Sequence, residues 1–183
     1  AFAAGAVVNA ASFRPGIAPG AIATIFGTNL QGVTVTIDGT RATVFFSNNT
    51  QVNFLVPSFA TLAASAVVRI ENVAGASEPA TVPIALVQPG VFYDAATGLA
   101  AAIDRGGRIF EMYGTGFGSS PVTATVGGRP AEVLFSGPAP GFPGLQQINV
   151  RVDANLPAGS QPAVLTTAGQ ASNETRLRVT SQQ

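Results

Sequence analysis

The chain of 183 residues carries nine arginines, no lysine, nine acidic residues and a formal net charge of zero, and it contains no histidine, cysteine or tryptophan. Those absences exclude a disulfide framework, the usual zinc sites, catalytic imidazoles and thiolates, a Schiff-base lysine and a P-loop lysine. The neutral balance gives nucleic acid no electrostatic footprint.

The composition therefore assigns no catalytic residue, no metal ligand and no cofactor. Only 10% of residues are charged, against roughly 25% in an ordinary globular domain. Alanine supplies 31 of the apolar residues, so the surface need not be greasy, but it is weakly defended against association. No run of about 20 apolar residues is present, so no membrane span is predicted. The chain starts on Ala1 and a series of small residues, which is what cleavage of a signal peptide leaves. Export to the extracellular space or cell surface follows as the expectation.

In chain order, the apolar segment Ala1 to Ala6 comes first. Short alternating runs follow: Thr34–Ile37, Ala42–Phe45, Val67–Ile70 and Thr81–Ile84 in the first half. Thr123–Val126, Glu132–Phe135, Ile148–Val152 and Arg176–Val179 follow in the second. Turn signals separate them at Asp38-Gly39, Asn48-Asn49, Gly127-Gly128 and Ala168-Gly169. Phe59 to Ala66 and Ala95 to Asp104 have room for a helical turn or two. Many short strands at this spacing predict an all-β chain built from sandwiches.

The two halves repeat one another. Ile25 to Leu30 aligns with Met112 to Phe117, Val35 to Ala42 with Ala124 to Ala131, Val44 to Ser47 with Val133 to Ser136, and Gln51-Val52-Asn53 with Gln147-Ile148-Asn149. The gaps between matches fall in turns, chiefly in the Pro/Gly stretch Gly137 to Gly144. With a boundary near Val87-Gln88-Pro89-Gly90, the prediction is two tandem immunoglobulin-like sandwiches, residues 1–87 (with an arm at 1–6) and 88–183.

The ordered motifs Gly-Thr-(Asn/Gly)-(Leu/Phe), Val-x-(Ile/Val)-(Asp/Gly)-Gly-x-x-Ala and Gln-(Val/Ile)-Asn-x-x-Val resemble the IPT/TIG immunoglobulin-like domain. With Val7-Val8-Asn9-Ala10-Ala11-Ser12-Phe13 at the start, Pro89 to Phe92 at the junction and Asn155 to Gly159 near the end, the chain resembles the duplicated C-terminal domain of secreted acidobacterial proteins of the Solibacter type. Asp153 departs from that pattern where Pro57 keeps it. The resemblance implies an immunoglobulin-like sandwich, export and a non-catalytic modular role, and brings no ligand with it.

Few residues stand out as sites. Asp94, Asp104 and Glu111 form the one loose carboxylate grouping, read as solvated loop acids near Arg105 and Arg108. Gly114 to Gly118 reads as a sandwich turn, since neither a helix nor a lysine accompanies it. Asn48 and Asn173 open Asn-x-Thr triplets and are candidate glycosylation sites. Tyr113 and most of the 12 phenylalanines sit in strands and read as core. Phe142, in a Pro/Gly loop, is a candidate binding-loop residue, with a cap on its own sandwich as the alternative. The arm, with Phe2, Val7 and Val8, is a candidate self-assembly element that adds to a neighbouring copy's sheet edge; the other option is that it extends its own domain's first strand. The functional expectation is a non-enzymatic extracellular structural protein that associates with itself head to tail, as in a surface filament. The alternative is a spacer or ligand- or glycan-binding module.

Overall fold

The computed structural model describes residues 1–58, 63–73 and 75–180. The first half contains β1 (Val7–Asn9), β2 (Ile22–Phe26), β3 (Thr34–Ile37), β4 (Thr40–Arg41), β5 (Thr43–Ser47), β6 (Gln51–Leu55), β7 (Ser65–Asn72), β8 (Gly75–Ala76) and β9 (Ala80–Pro83). The second contains β10 (Gly90–Val91), β11 (Ala102–Asp104), β12 (Ile109–Thr115), β13 (Val122–Val126), β14 (Arg129–Pro138), β15 (Gln146–Arg151), β16 (Gly159–Thr167), β17 (Gln170–Ala171) and β18 (Thr175–Val179). The pairings between these strands are antiparallel, with isolated parallel bridges at Ile17–Ile84 and Leu99–Arg176, and a single turn of 3-10 helix at Ala4–Ala6 is the only helical segment among the described residues.

The chain is all-β and forms two immunoglobulin-like sandwiches. In the first, a sheet ordered β1-β2-β6-β5 faces a sheet ordered β4-β3-β7-β8, with β9 also on β7. Alternation fills the space between them. Ile25, Val35, Ile37, Val52, Phe54 and Val68 all point inward and are fully buried. Turns are made by the residues that tolerate positive φ: Asp38 and Gly39 (48° and 78°) close β3 onto β4, and Gly127 and Gly128 (59° and 74°) close β13 onto β14. Both residues of such two-residue turns need positive φ. In the second sandwich β14 is long enough to pair with β13 through Arg129–Ala131 and with β15 through Glu132–Pro138, so it passes from one sheet to the other. A separate core fills this sandwich around Met112, Phe117, Ile148, Val150 and Leu165.

Two sequence expectations change. Ala95 to Asp104 is not helical: residues 95–97 form a turn and Ala102–Asp104 is strand β11. The Asp94 carboxylate accepts from the Thr97 backbone N–H and hydroxyl, both at 2.8 Å. That local bond competes with a helix, and Gly98 at φ 71° ends the turn. Of Phe59 to Ala66, residues 59–62 lie outside the described residues, and Ser65 and Ala66 open β7. Phe26, Phe45, Phe46 and Phe135 are also not core, each being between 38% and 47% exposed, while Tyr113 is half-buried. Phe26 lies opposite Gln51 and Tyr113 opposite Gln147, on the outward side of ladders whose inward members are Val52 and Ile148. Phe45 is the extra residue of a β-bulge between Val44 and Phe46, and Leu134 fills the same place between Val133 and Phe135. A bulge turns the residues after it to the opposite face, which simple alternation does not anticipate.

Candidate binding surface and the junction between sandwiches

The N-terminal arm lies on its own sandwich. The Ala1 ammonium donates to the Thr28 carbonyl at 2.7 Å, and Thr28 N–H donates back to Ala1 at 2.9 Å. In the second half Gly90 meets Thr115, the residue 87 positions beyond Thr28, through the register of β10 on β12. A Cβ at Gly27 would strike the Ala1 carbonyl, and one at Gly114 would strike the Gly90 carbonyl. Each glycine is thus a point of close chain approach, not a left-handed turn. Phe2 packs against the first core, and Val7 and Val8 are buried in β1, paired with Ile25 and Thr24 of β2. Within this one chain the arm packs on its own sandwich, through a 3-10 turn at Ala4–Ala6 and not as an extension of β1.

The sandwiches are joined by bonds between residues far apart in sequence. Asn9 Nδ2 donates to the Gln88 carbonyl at 2.7 Å, while its Oδ1 accepts from Ala11 and Ser12 N–H. Arg14 reaches across with Nη1 to the Ala171 carbonyl (2.5 Å) and Nη2 to the Ser172 carbonyl (3.0 Å). The Thr115 hydroxyl accepts from Ile22 N–H at 2.8 Å and donates to the Gly144 carbonyl at 2.7 Å. Phe13 stands against Phe26 of its own sandwich (6.2 Å between ring centroids) and edge-on to Tyr93 of the second (6.5 Å).

The remaining candidates fall as follows. Asn48 is exposed, and its Oδ1 accepts from Thr50 and Gln51 N–H, an Asx turn before β6. Asn173 is part-buried, with Oδ1 on Val91 N–H (2.9 Å) and Nδ2 on the Val91 carbonyl (3.0 Å), so its amide pins β10. Phe142 is 65% exposed at the tip of its loop. That loop touches the first sandwich through Gly144, where a Cβ would come within 2.7 Å of Leu55 and 2.8 Å of Ile22.

The carboxylates do not converge: among the described residues no three acidic side chains form a metal-binding group. Glu111 is buried rather than solvated, ion-paired with Arg105 and accepting from the Tyr113 hydroxyl at 3.1 Å. The Arg105 guanidinium holds the Glu111 carboxyl below the usual carboxylate range, and the Tyr113 hydroxyl adds to this. Burial pushes Tyr113 up, with the carboxylate adding to it. Arg108 turns inward and donates to the Leu156 carbonyl.

The outward face beside Phe26 holds the feature that composition gave no sign of. Gln51 Nε2 donates to Asn53 Oδ1 at 2.8 Å, and Gln147 Nε2 to Asn149 Oδ1 at 3.0 Å. The aligned Gln-x-Asn motif was its sequence signal. Residues 12–84 match the IPT/TIG domain. The IPT/TIG match thus spans the first sandwich from the loop after β1 through β9, less than half of the chain. No curated protein matches. Among solved structures, a Bacteroides ovatus surface glycan-binding protein in complex with a mixed-linkage heptasaccharide is similar at 15% identity and a TM-score of 0.41, over 90% of this chain and 43% of that one. Domains 5–6 of the S-layer protein SbsC are similar at 14% and 0.40, over 92% and 93%. A surface glycan-binding protein of Prevotella bryantii is similar at 10% and 0.34, over 86% and 36%. The chain spans less than half the length of the first of these.

Proposed function

We propose that the chain is a non-enzymatic structural element working outside the cell: a stiff tandem of two sandwiches, residues 1–87 and 88–183, that arose by duplication. The junction carries this reading. Asn9, Arg14 and Thr115 commit four hydrogen bonds, three of them part-buried, to fixing one sandwich against the other, where a flexible linker would need none. The IPT/TIG match over the first sandwich and a composition without histidine, cysteine or lysine support a non-catalytic role. NMR relaxation tests it: both sandwiches should tumble with one correlation time, and an Asn9→Ala/Arg14→Ala variant should give two. Two correlation times in the wild type would overturn it.

Self-association into a filament is the second reading. It is favoured by Phe45, Leu86 and Phe142 standing exposed on a surface so poor in charge. Electron microscopy with size-exclusion chromatography decides it. Filaments repeating at one or two subunit lengths support it, and an 18.4 kDa monomer at all concentrations sinks it.

A further inference from the structure

The outward faces of β6 and β15 carry the same constellation. Val52 and Phe54 point into the first core, so Gln51 and Asn53 point out. Phe26 lies directly opposite Gln51 on β2, and Phe46 opposite Asn53 on β5. In the second sandwich Tyr113 lies opposite Gln147, and Phe135 opposite Asn149. In both, the glutamine donates to the asparagine Oδ1. In the first that oxygen takes a second bond from the Thr24 hydroxyl at 3.0 Å. The amides are thereby fixed, and among the described residues the glutamine Oε1 and the asparagine Nδ2 are left to an outside partner.

An acceptor and a donor pair side by side, between two aromatic rings, match a vicinal diol: each hydroxyl both gives and accepts a bond, and the C–H faces of a sugar ring cover aromatic carbon. The charge is also right. The first patch has no ionisable side chain in its ladder positions. In the second, Glu111 is held by Arg105, and Arg151 by Glu132. A phosphate or sulfate would find no unpaired cation there. We propose that these two faces bind a neutral polysaccharide, with Gln51 and Asn53 reading hydroxyls in the first sandwich and Gln147 and Asn149 doing so in the second. This goes beyond the structural reading and does not depend on it.

The test is native affinity electrophoresis of the full chain in gels containing soluble neutral polysaccharides (a β-glucan, a xylan, a galactomannan, a dextran), with alginate as the acidic control. At least one neutral polymer should retard the protein, and alginate should not. Gln51→Ala/Gln147→Ala should weaken retardation at least tenfold, each single change less, because two sites on one chain reinforce each other. Arg129→Ala should leave it unchanged, and Phe26→Tyr should retain it in full where Phe26→Ala weakens it as a single-site change does. Thermal melts of each variant separate lost binding from lost fold. Retardation by none of the neutral polymers, retardation indifferent to the double substitution, or preference for alginate would overturn the proposal. So would a dimer that dissociates on Phe26→Ala, which would make the face a contact between copies.

Discussion

The side-chain amide of Asn9 donates to the backbone carbonyl of Gln88 at 2.7 Å, across 79 residues of sequence. One buried residue therefore closes its own loop, through Ala11 and Ser12, and fixes the linker. Asn9→Ala strands three polar backbone groups at about 1–3 kcal/mol for each that stays buried. The expected loss is about 2–3 kcal/mol in denaturant unfolding, with wider inter-domain motion by small-angle scattering. Asn9→Asp should keep the two backbone acceptor contacts and still lose the linker bond.

Gly116 sits at φ 80°, and a Cβ there would run into the Gln88 carbonyl. Gly116→Ala combines strain with a backbone clash and should cost about 3 kcal/mol or more. Gly106 has a similar φ of 77° with open space around it, so Gly106→Ala should cost only about 1–2 kcal/mol. Paired chemical denaturation curves check the contrast.

Deleting residues 1–6 removes Phe2 from the first core and the two bonds between Ala1 and Thr28. The expected outcome is a loss of about 1–3 kcal/mol confined to the first sandwich, seen as faster amide exchange there and unchanged exchange in the second. Equal loss in both, or none, would contradict the arm's placement.

Glu111 gives the acid limb of stability. Its carboxyl titrates below the usual range because Arg105, then Tyr113, favour the charged form. A depressed folded value means that the stabilisation is complete above the ordinary carboxylate value of about 4.3 and fades as pH falls below it. Glu111→Gln should lower stability at pH 7 and flatten the slope of stability against pH below about 4.3. Melting temperatures of both proteins across that range provide the measurement.

How much of this was legible follows from where each signal lives. Strands such as Thr34–Ile37 declare themselves by alternation, and Asp38-Gly39 by local turn chemistry; both are properties of neighbours in sequence. Simple alternation assigns Phe46 and Phe135 to the core, because it does not register the one extra bulge residue that reverses every later facing. The arm's placement depended on Gly27 being small enough to admit Ala1, a contact between segments that no local pattern reports. Arg14 and Ala171 are 157 residues apart, so the junction was invisible. The Gln-x-Asn repeat was visible as a motif, but its meaning needed the ladder that sets each amide opposite an aromatic ring.

The bulge at Phe45 also bears on how the chain can safely display its aromatic residues. β5 is the outermost strand of its sheet, and two adjacent phenylalanines on a straight outer strand would template stacking by stray chains. The kink at Val44–Phe46 breaks the regular spacing of backbone donors and acceptors that such stacking copies. The protein can thus keep oily rings facing water without seeding amyloid, and deleting Phe45 would straighten the edge with Phe46 still on it.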